Sequence, residues 1–308
     1  MRITVVGAGV VGLTCAVRLL EAGHDVAVLA RDLPRETTSA VAAALWYPYR
    51  AFPQDRVTAW ARSTYATFAE LADDPATGVV MRPGTEVFGS PQPDPWWVSA
   101  VPSLTREGRL PPPYVDGWTF VAPVVEMPVY LEWLLARVEA LGGSVTRMAL
   151  AALPEGGDVV VNCSGIGSRL LAGDPAVTPV RGQVVLVEQF GLDRWWLDAA
   201  GPTYVVPRAR DVVVGGTGEE GEWSRTPSAA TAEEILARAS RLVPALAGAR
   251  VLRSAVGLRP ARPSLRLERV GRTVHCYGHG GAGVTLSWGT ADEVTSLVGA
   301  VPGSTTGG

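Results

Sequence analysis

The chain has 308 residues, of which 47% are apolar and 19% charged, with a formal net charge of −3. That length holds one large domain or two ordinary ones, and the composition excludes a disordered chain or a strongly basic nucleic-acid coat. No apolar run approaches the roughly 18 residues of a membrane span, and the first residues show no charged region leading into a cleavable apolar stretch, so the expected location is cytoplasmic.

The chain opens with RITVV, GAGVVG, LTCAVRLLEAG and HDVAVLARD, which read as strand, tight turn, helix and strand. Gly7, Gly9 and Gly12 fit G-x-G-x-x-G. The first makes the sharp turn, the second lets backbone approach a pyrophosphate, and the third lets helix and strand pack closely. This predicts dinucleotide binding without separating FAD from NAD. Where an acidic residue normally meets the adenosine ribose stands Arg31, with Asp32 next. Either Asp32 takes the ribose, or Arg31 contacts the adenosine moiety; a 2′-phosphate, and hence NADP, also stays open.

From about 75 to 128 the prolines and tryptophans predict short strands and loops. PVYLEWLLARVEALGG predicts a helix with Leu131, Leu134, Leu135, Val138 and Leu141 on one face. SVTRMAL and DVVVNCSG read as strands, the second ending at Gly165 and Gly167 like another strand of the nucleotide-binding sheet. A β pattern returns over 181–217, and a capping box from Thr231 to Glu234 predicts a helix ending before Pro244. TVHCYG reads as the last strand, GHGGAG as a second glycine turn, and VTLSWGTADEVTSLV as a helix.

The residue types narrow the chemistry. Cys15, Cys163 and Cys276 lack metal-site spacing and are expected to be buried hydrophobes, with no metal bound. There is no H-E-x-x-H and no G-x-S-x-G. All 27 basic residues are arginine, so a pyridoxal Schiff base and a P-loop lysine are both excluded.

Taken together, GAGVVGL, TTSAVAAALWYPY (37–49), VNCSGIGS (161–168), VRGQ (180–183), GLRPARPSLRLE (257–268) and HCYGHGGAGVTLSWG (275–289) resemble the D-amino acid oxidases, in order and over essentially the whole chain. The D-aspartate oxidases share most of these blocks. The resemblance implies an FAD flavoenzyme that oxidises a D-amino acid by hydride transfer from Cα to flavin N5. The imino acid is then hydrolysed to a 2-oxo acid and ammonia, and dioxygen is reduced to hydrogen peroxide. The implied fold is α/β: a Rossmann-like FAD-binding domain (1–47, 142–180 and 255–308) interleaved with an α+β substrate-binding domain (48–141 and 181–254) on a mostly antiparallel sheet.

By the same resemblance the diphosphate lies against Gly7, Ala8, Gly9, Val10, Val11 and Gly12, with Thr38 and Ser39 helping to hold the cofactor. Ala44, Leu45 and Trp46 run past the flavin, Ala44 standing where the family usually has glycine. Ser164 and Gly165 match further contacts, Gly280, Gly281 and Gly283 supply open backbone beside the ring, and Thr285 bonds the flavin. The helix from about Val284 points its first amides at the pyrimidine end.

Arg259 is expected to receive the substrate carboxylate through its two-pronged guanidinium, Tyr204 to reach the same carboxylate, and the Gly281 carbonyl to accept the amine. Arg262, Arg266 and Arg269 are expected in structural ion pairs, and His279 as a hydrogen-bonded turn residue rather than a base. A neutral amine and good orientation demand no base. Ala200 stands where animal relatives carry a second tyrosine on a longer loop, which predicts a more open pocket.

Expected partners are a small-molecule D-amino acid and dioxygen, with neither nucleic acid nor membrane; the assembly considered is a homodimer. Neutral substrates are preferred. D-aspartate stands as the alternative, its extra carboxylate calling for a cation such as Arg208 or Arg210, although both read more simply as an exposed strand end. A dinucleotide-binding protein without oxidase activity is the alternative of a different class.

Overall fold

The computed structural model describes residues 1–198 and 200–300. In chain order the elements are β1 (Arg2–Val6), α1 (Val10–Glu21), β2 (Asp25–Ala30), α2 (Gln54–Leu71), β3 (Val79–Phe88), β4 (Thr105–Arg106), β5 (Asp116–Val125), α3 (Met127–Ala140), β6 (Ser144–Arg147), β7 (Val159–Asn162) and α4 (Ser168–Leu171). There follow β8 (Thr178–Glu188), β9 (Trp195–Asp198), β10 (Thr203–Pro207), β11 (Asp211–Gly215), β12 (Glu219–Glu220), α5 (Ala229–Leu242), β13 (Val251–Val270), β14 (Thr273–His279) and α6 (Gly283–Gly299).

Near-continuous runs of valine and isoleucine suit strands covered on both faces. Such residues build β1, β2 and β7 at the centre of the parallel strands β6-β2-β1-β7-β14, where Ile3 pairs with Val26 on one side and Val159 on the other. α1 packs between α3 and α6, and α6 in turn packs on α2. The sheet continues without a break through β13-β8-β11-β10-β9-β3-β5-β4, antiparallel except where β9 meets β3. β13 joins the two regions. It pairs with β8 from Val251 to Ala261, and Ala261 also begins its pairing with β14.

Three expectations change. The proline-rich stretch holds two ten-residue strands, β3 and β5, paired from Val79↔Val125 to Phe88↔Asp116. Their β-branched and aromatic residues outweigh Pro83 and Pro123, and an aromatic cluster of Trp97, Trp118, Phe120 and Trp195 packs on them. The cap of α5 is Ser228, whose hydroxyl accepts from the Thr231 amide at 3.2 Å, so the expected box at Thr231 lies inside the helix. The buried stripe of α3 is Met127, Tyr130, Leu131, Leu134 and Val138, with Leu135 and Leu141 only half-buried. Among the described residues no helix is long and apolar enough to cross a membrane.

Candidate cofactor and substrate site

A cavity of about 890 Å³ opens where the parallel strands end and the antiparallel region begins. Every residue predicted above for the site lines it except Gly12, Trp46 and Thr285. The cavity is of a size for a large cofactor or a small ligand with room beside it.

The first turn is built for close approach. Gly7 has φ +113°, and a Cβ there would lie 2.4 Å from the Cys163 carbonyl oxygen. A Cβ at Gly12 would lie 1.9 Å from the Gly7 oxygen, so Gly12 serves helix–strand packing from behind the cavity. Ser39 Oγ accepts from the Val10 amide at 3.0 Å, and the first intrahelical bond is Leu13 N to Gly9 O. The Val11 and Gly12 amides thus have no intrahelical acceptor, as an anion site at a helix N-terminus requires. The Thr38 hydroxyl donates to the Leu258 carbonyl at 3.1 Å, tying this segment to β13.

At the far end of β2, Arg31 and Asp32 bind each other through two bonds of 3.1 and 2.6 Å. That pairing holds the Asp32 carboxyl below the usual carboxylate range. The two residues meet the cavity as one unit, with Arg225 adding positive charge beside Asp32. Ser164 Oγ donates to Asn162 Oδ1 at 2.6 Å and shares a bond with Ser168 Oγ, which fixes the turn after β7.

The segment 44–47 is laid along β5, with Trp46 N donating to Pro123 O at 2.8 Å and Val125 N to Ala44 O at 3.0 Å. Alternation sends Leu45 and Tyr47 to the cavity and Trp46 the other way, into a core formed with Tyr65 and Trp97. Trp46 is therefore an anchor rather than a lining residue. Ala44 adopts φ +56°, a left-handed conformation that a glycine would take without strain.

Thr285 also differs from expectation. Its Oγ1 accepts from Tyr47 N and donates to Tyr47 O, both at 3.0 Å, so its one hydroxyl hydrogen is committed to the protein. The end of α6 presents the Gly283 and Val284 backbone to the cavity instead, and the first intrahelical bond there is Leu286 N to Ala282 O.

Arg259, Tyr204 and Gly281 come together although they lie far apart in sequence. The Arg259 guanidinium lies across Gly182, where a Cβ would be 2.4 Å from Cζ, and its NH1 donates to Thr217 O at 2.8 Å. Tyr204 lies across Gly215 and Gly216 in the same manner, at 2.0 Å from Cζ and 2.7 Å from the hydroxyl. A Cβ at Gly281 would meet Tyr49 at 2.8 Å and Arg259 Cδ at 3.5 Å. Arg181, Arg208, Arg262 and Arg266 each pair with a carboxylate, whereas Arg259 pairs with none among the described residues.

Sequence reasoning missed Gly182, Tyr47, Tyr49 and Thr217. The VRGQ and LWYPY blocks contain the first three, but nothing local marks Thr217. Arg181 and Gln183 explain how Thr217 is held: Arg181 donates to Ser224 O and Thr226 O at 3.0 and 2.8 Å, and Gln183 exchanges bonds of 2.7 and 2.8 Å with the Ser228 backbone. Together they tie the segment 217–228 to β8.

Arg208 is neither a cavity cation nor an exposed strand end. It is 5% exposed and clasps Asp211 at 2.6 and 2.9 Å, while Arg210 is exposed and away from the cavity. Arg262 pairs with Asp174, Arg266 with Glu268, and Arg269 donates to the Leu297, Val298 and Ala300 carbonyls at the end of α6. His279 lines the cavity with Nε2 4.0 Å from Cys276 Sγ. The three cysteines, distant in sequence, meet with their sulfurs within 4.8 Å because β7 and β14 are neighbours and α1 covers them. All are buried, and the contacts among the three thiols, with burial adding to them, push Cys15 up, which favours the protonated form of a packed core residue. Ala200 is exposed and does not line the cavity; Ala199 lies outside the described residues.

Residues 2–297 match the family described as FAD dependent oxidoreductase, DAO. The chain is 52% identical over 313 residues to a D-amino-acid oxidase of Rubrobacter xylanophilus, covering 97% of this chain and 96% of that protein. It is 40% identical over 324 residues to a D-aspartate oxidase of Homo sapiens, covering 96% and 94%. Among solved structures, glycine oxidase from Bacillus cereus superposes with a TM-score of 0.81 at 20% identity, covering 96% and 94%, a likeness of fold.

Proposed function

The chain belongs to the family of FAD dependent oxidoreductases, and from that premise we propose that it oxidises neutral D-amino acids to 2-oxo acids, releasing ammonia and reducing dioxygen to hydrogen peroxide. One observation carries the reading: the Arg259 guanidinium, without a carboxylate partner among the described residues, is held in the same cavity as the Gly7 turn and the start of α6. The residues present fit FAD, since the turn is cleared of side-chain atoms and two helix N-termini open on the cavity.

The bound flavin supplies a two-electron acceptor that dioxygen can reoxidise. The protein's part is orientation. Arg259 donates two N–H groups to the substrate carboxylate, and Thr217 O keeps the fork from turning. The Tyr204 hydroxyl donates to the same carboxylate, and the Gly281 carbonyl accepts from the amine. Three fixed points define which face of Cα meets the ring, and so select the D configuration. A neutral amine lone pair assists loss of hydride without a protein base, and His279 is left as a cavity-lining turn residue.

Segments 1–47, 142–180 and 255–308 are proposed as the cofactor half, and 48–141 with 181–254 as the substrate half; residues 301–308 lie outside the described residues. Three unpaired cysteines suit a reducing compartment, which supports a cytoplasmic location. Purified protein is expected to be yellow, and D-alanine added without oxygen to bleach the flavin absorption. A colourless protein, or one that no D-amino acid bleaches, refutes the reading. The acidic-substrate alternative is favoured by the D-aspartate oxidase relative, but Arg208 is engaged by Asp211 and so does not supply the required cation.

A further inference from the structure

In-register pairing aligns Trp118, Glu86, Leu197, Tyr204, Gly215, Val184 and Ala255 across seven strands, from β5 to β13. Residues paired in this way project to one face of a sheet. Arg259 projects there too, four residues beyond Ala255 on unbroken pairing with β8. The Glu86 carboxyl therefore lies on the same sheet face as Tyr204 and Arg259, behind Tyr47 and not in the lining of the cavity itself. Two strand spacings, about 10 Å, separate its backbone from that of Tyr204.

Glu86 is 1% exposed and has no cation paired with it among the described residues. Its two oxygens lie 3.0 and 2.8 Å from the Tyr47 hydroxyl. Tyr47 itself lines the cavity, its backbone pinned by Thr285 and its ring set edge-on to Trp97 at 5.4 Å. Around the carboxyl, β9 brings Asp198, whose Oδ2 accepts from Tyr114, and β5 brings the uncharged Trp118. From α2, Tyr65 donates to Val121 O, while Arg194 turns to Thr85, which projects from the opposite face of β3. Burial and the nearby Asp198 charge push the Glu86 carboxyl up to about 8, with the Tyr47 bond opposing them.

We propose that the Tyr47–Glu86 pair walls the side-chain end of the substrate cavity and excludes acidic side chains, so that preference for neutral over acidic D-amino acids is set there. This rests on the reading of the chain as a D-amino acid oxidase. A substrate anchored by its α-carboxylate at Arg259 extends its side chain away from that guanidinium. A second carboxylate would then lose its water and meet the Tyr47 hydroxyl, already committed to the Glu86 carboxyl, instead of a cation. While Glu86 is protonated the wall is polar and neutral; once ionised, it adds repulsion across the cavity.

The test is the ratio of kcat/KM for D-alanine to that for D-aspartate in the FAD-loaded protein from pH 6.5 to 9.5. Both substrates carry the same reacting groups, so titrations common to them cancel in the ratio. In the unmodified protein the ratio should rise about tenfold through the alkaline range as Glu86 ionises. Glu86→Gln should flatten the profile and lower the ratio, whereas Tyr47→Phe, which keeps the carboxyl, should retain the discrimination. A flat ratio in the unmodified protein overturns the proposal even if Glu86→Gln fails to fold. So does full discrimination in Glu86→Gln, or its loss in Tyr47→Phe alone. Failure of the unmodified protein to oxidise D-alanine at all would instead remove the underlying functional reading.

Discussion

Gly182→Ala tests the substrate site without replacing any group proposed to bind substrate. Gly182 is not in the left-handed region, so its backbone accepts alanine, and the space a Cβ would take is filled by the Arg259 side chain. The new carbon would lie 2.4 Å from Cζ, NH1 and NH2, whereas ordinary contact begins at 3.4 Å, so the guanidinium must retreat by the difference, about 1 Å. A shift of that size lifts NH1 from Thr217 O, now at 2.8 Å, and turns the fork away from the substrate. Losing a charge-assisted hydrogen bond costs about 1.5–3 kcal/mol, which is about tenfold to 150-fold in kcat/KM, the range expected for a 1 Å misplacement at a reacting centre. Steady-state oxidation of D-alanine should show that loss mostly as a raised KM, with flavin absorption and melting temperature unchanged. Because the effect passes through Arg259, the double variant Gly182→Ala/Arg259→Met should be no worse than Arg259→Met alone. A kcat/KM within twofold of the unmodified protein, or additive losses in the double variant, would refute the reasoning.

Other outcomes follow from the same coordinates. Ala44→Gly relieves a residue at φ +56°, and after the extra freedom of glycine in the unfolded chain it should stabilise by about 0.5–1 kcal/mol; a lower melting temperature contradicts this. Arg208→Ala leaves Asp211 without its buried partner and should cost about 3–5 kcal/mol in urea unfolding, yet leave the D-alanine to D-aspartate ratio unaltered. A changed ratio would return Arg208 to the substrate site. Glu86 has its folded pKa raised to about 8, so between the ordinary carboxyl value and 8 the folded state holds a proton that the unfolded state has released. Stability should accordingly fall by about 1.4 kcal/mol per pH unit from this group across that window and level off above it. Glu86→Gln should remove that slope and gain stability most at alkaline pH; parallel curves for the two proteins would count against it.

What could be read in the sequence was what depends on a few neighbouring residues. The Gly7–Gly12 turn, the run into α1 and the helix after GHGGAG each follow from local spacing. The α5 cap failed because Ser228 and Thr231 both offer a hydroxyl three residues ahead of a backbone amide, and the buried residues Ile235, Ala239 and Leu242 lie too far on to choose between them. Trp46 and Thr285 were matched by resemblance, but alternation along 44–47 and the committed hydroxyl of Thr285 turn both from the cavity. Glu86, Thr217 and the meeting of the cysteines depend on strand register between segments tens of residues or more apart, which no local pattern encodes.

The position of GHGGAG near the end of the chain follows from that register. β1, β7 and β14 are parallel neighbours, so Gly7, Ser164 and His279 emerge at the same edge of the sheet, where ligands of such sheets gather. α1 and α6 then both begin at this edge and turn their positive ends toward one cavity. Arg259 stands two residues before Ala261, the point at which β13 pairs with both Thr178 of β8 and His279 of β14. An arginine carried by the antiparallel region is thereby brought beside the glycine turn of the parallel one, where a Cβ at Gly281 would lie 3.5 Å from Arg259 Cδ. A shift of β13 against β8 by one position would send Arg259 to the opposite face of the sheet, so the unbroken pairing from Arg253 to Ala261 is what places the guanidinium in the cavity.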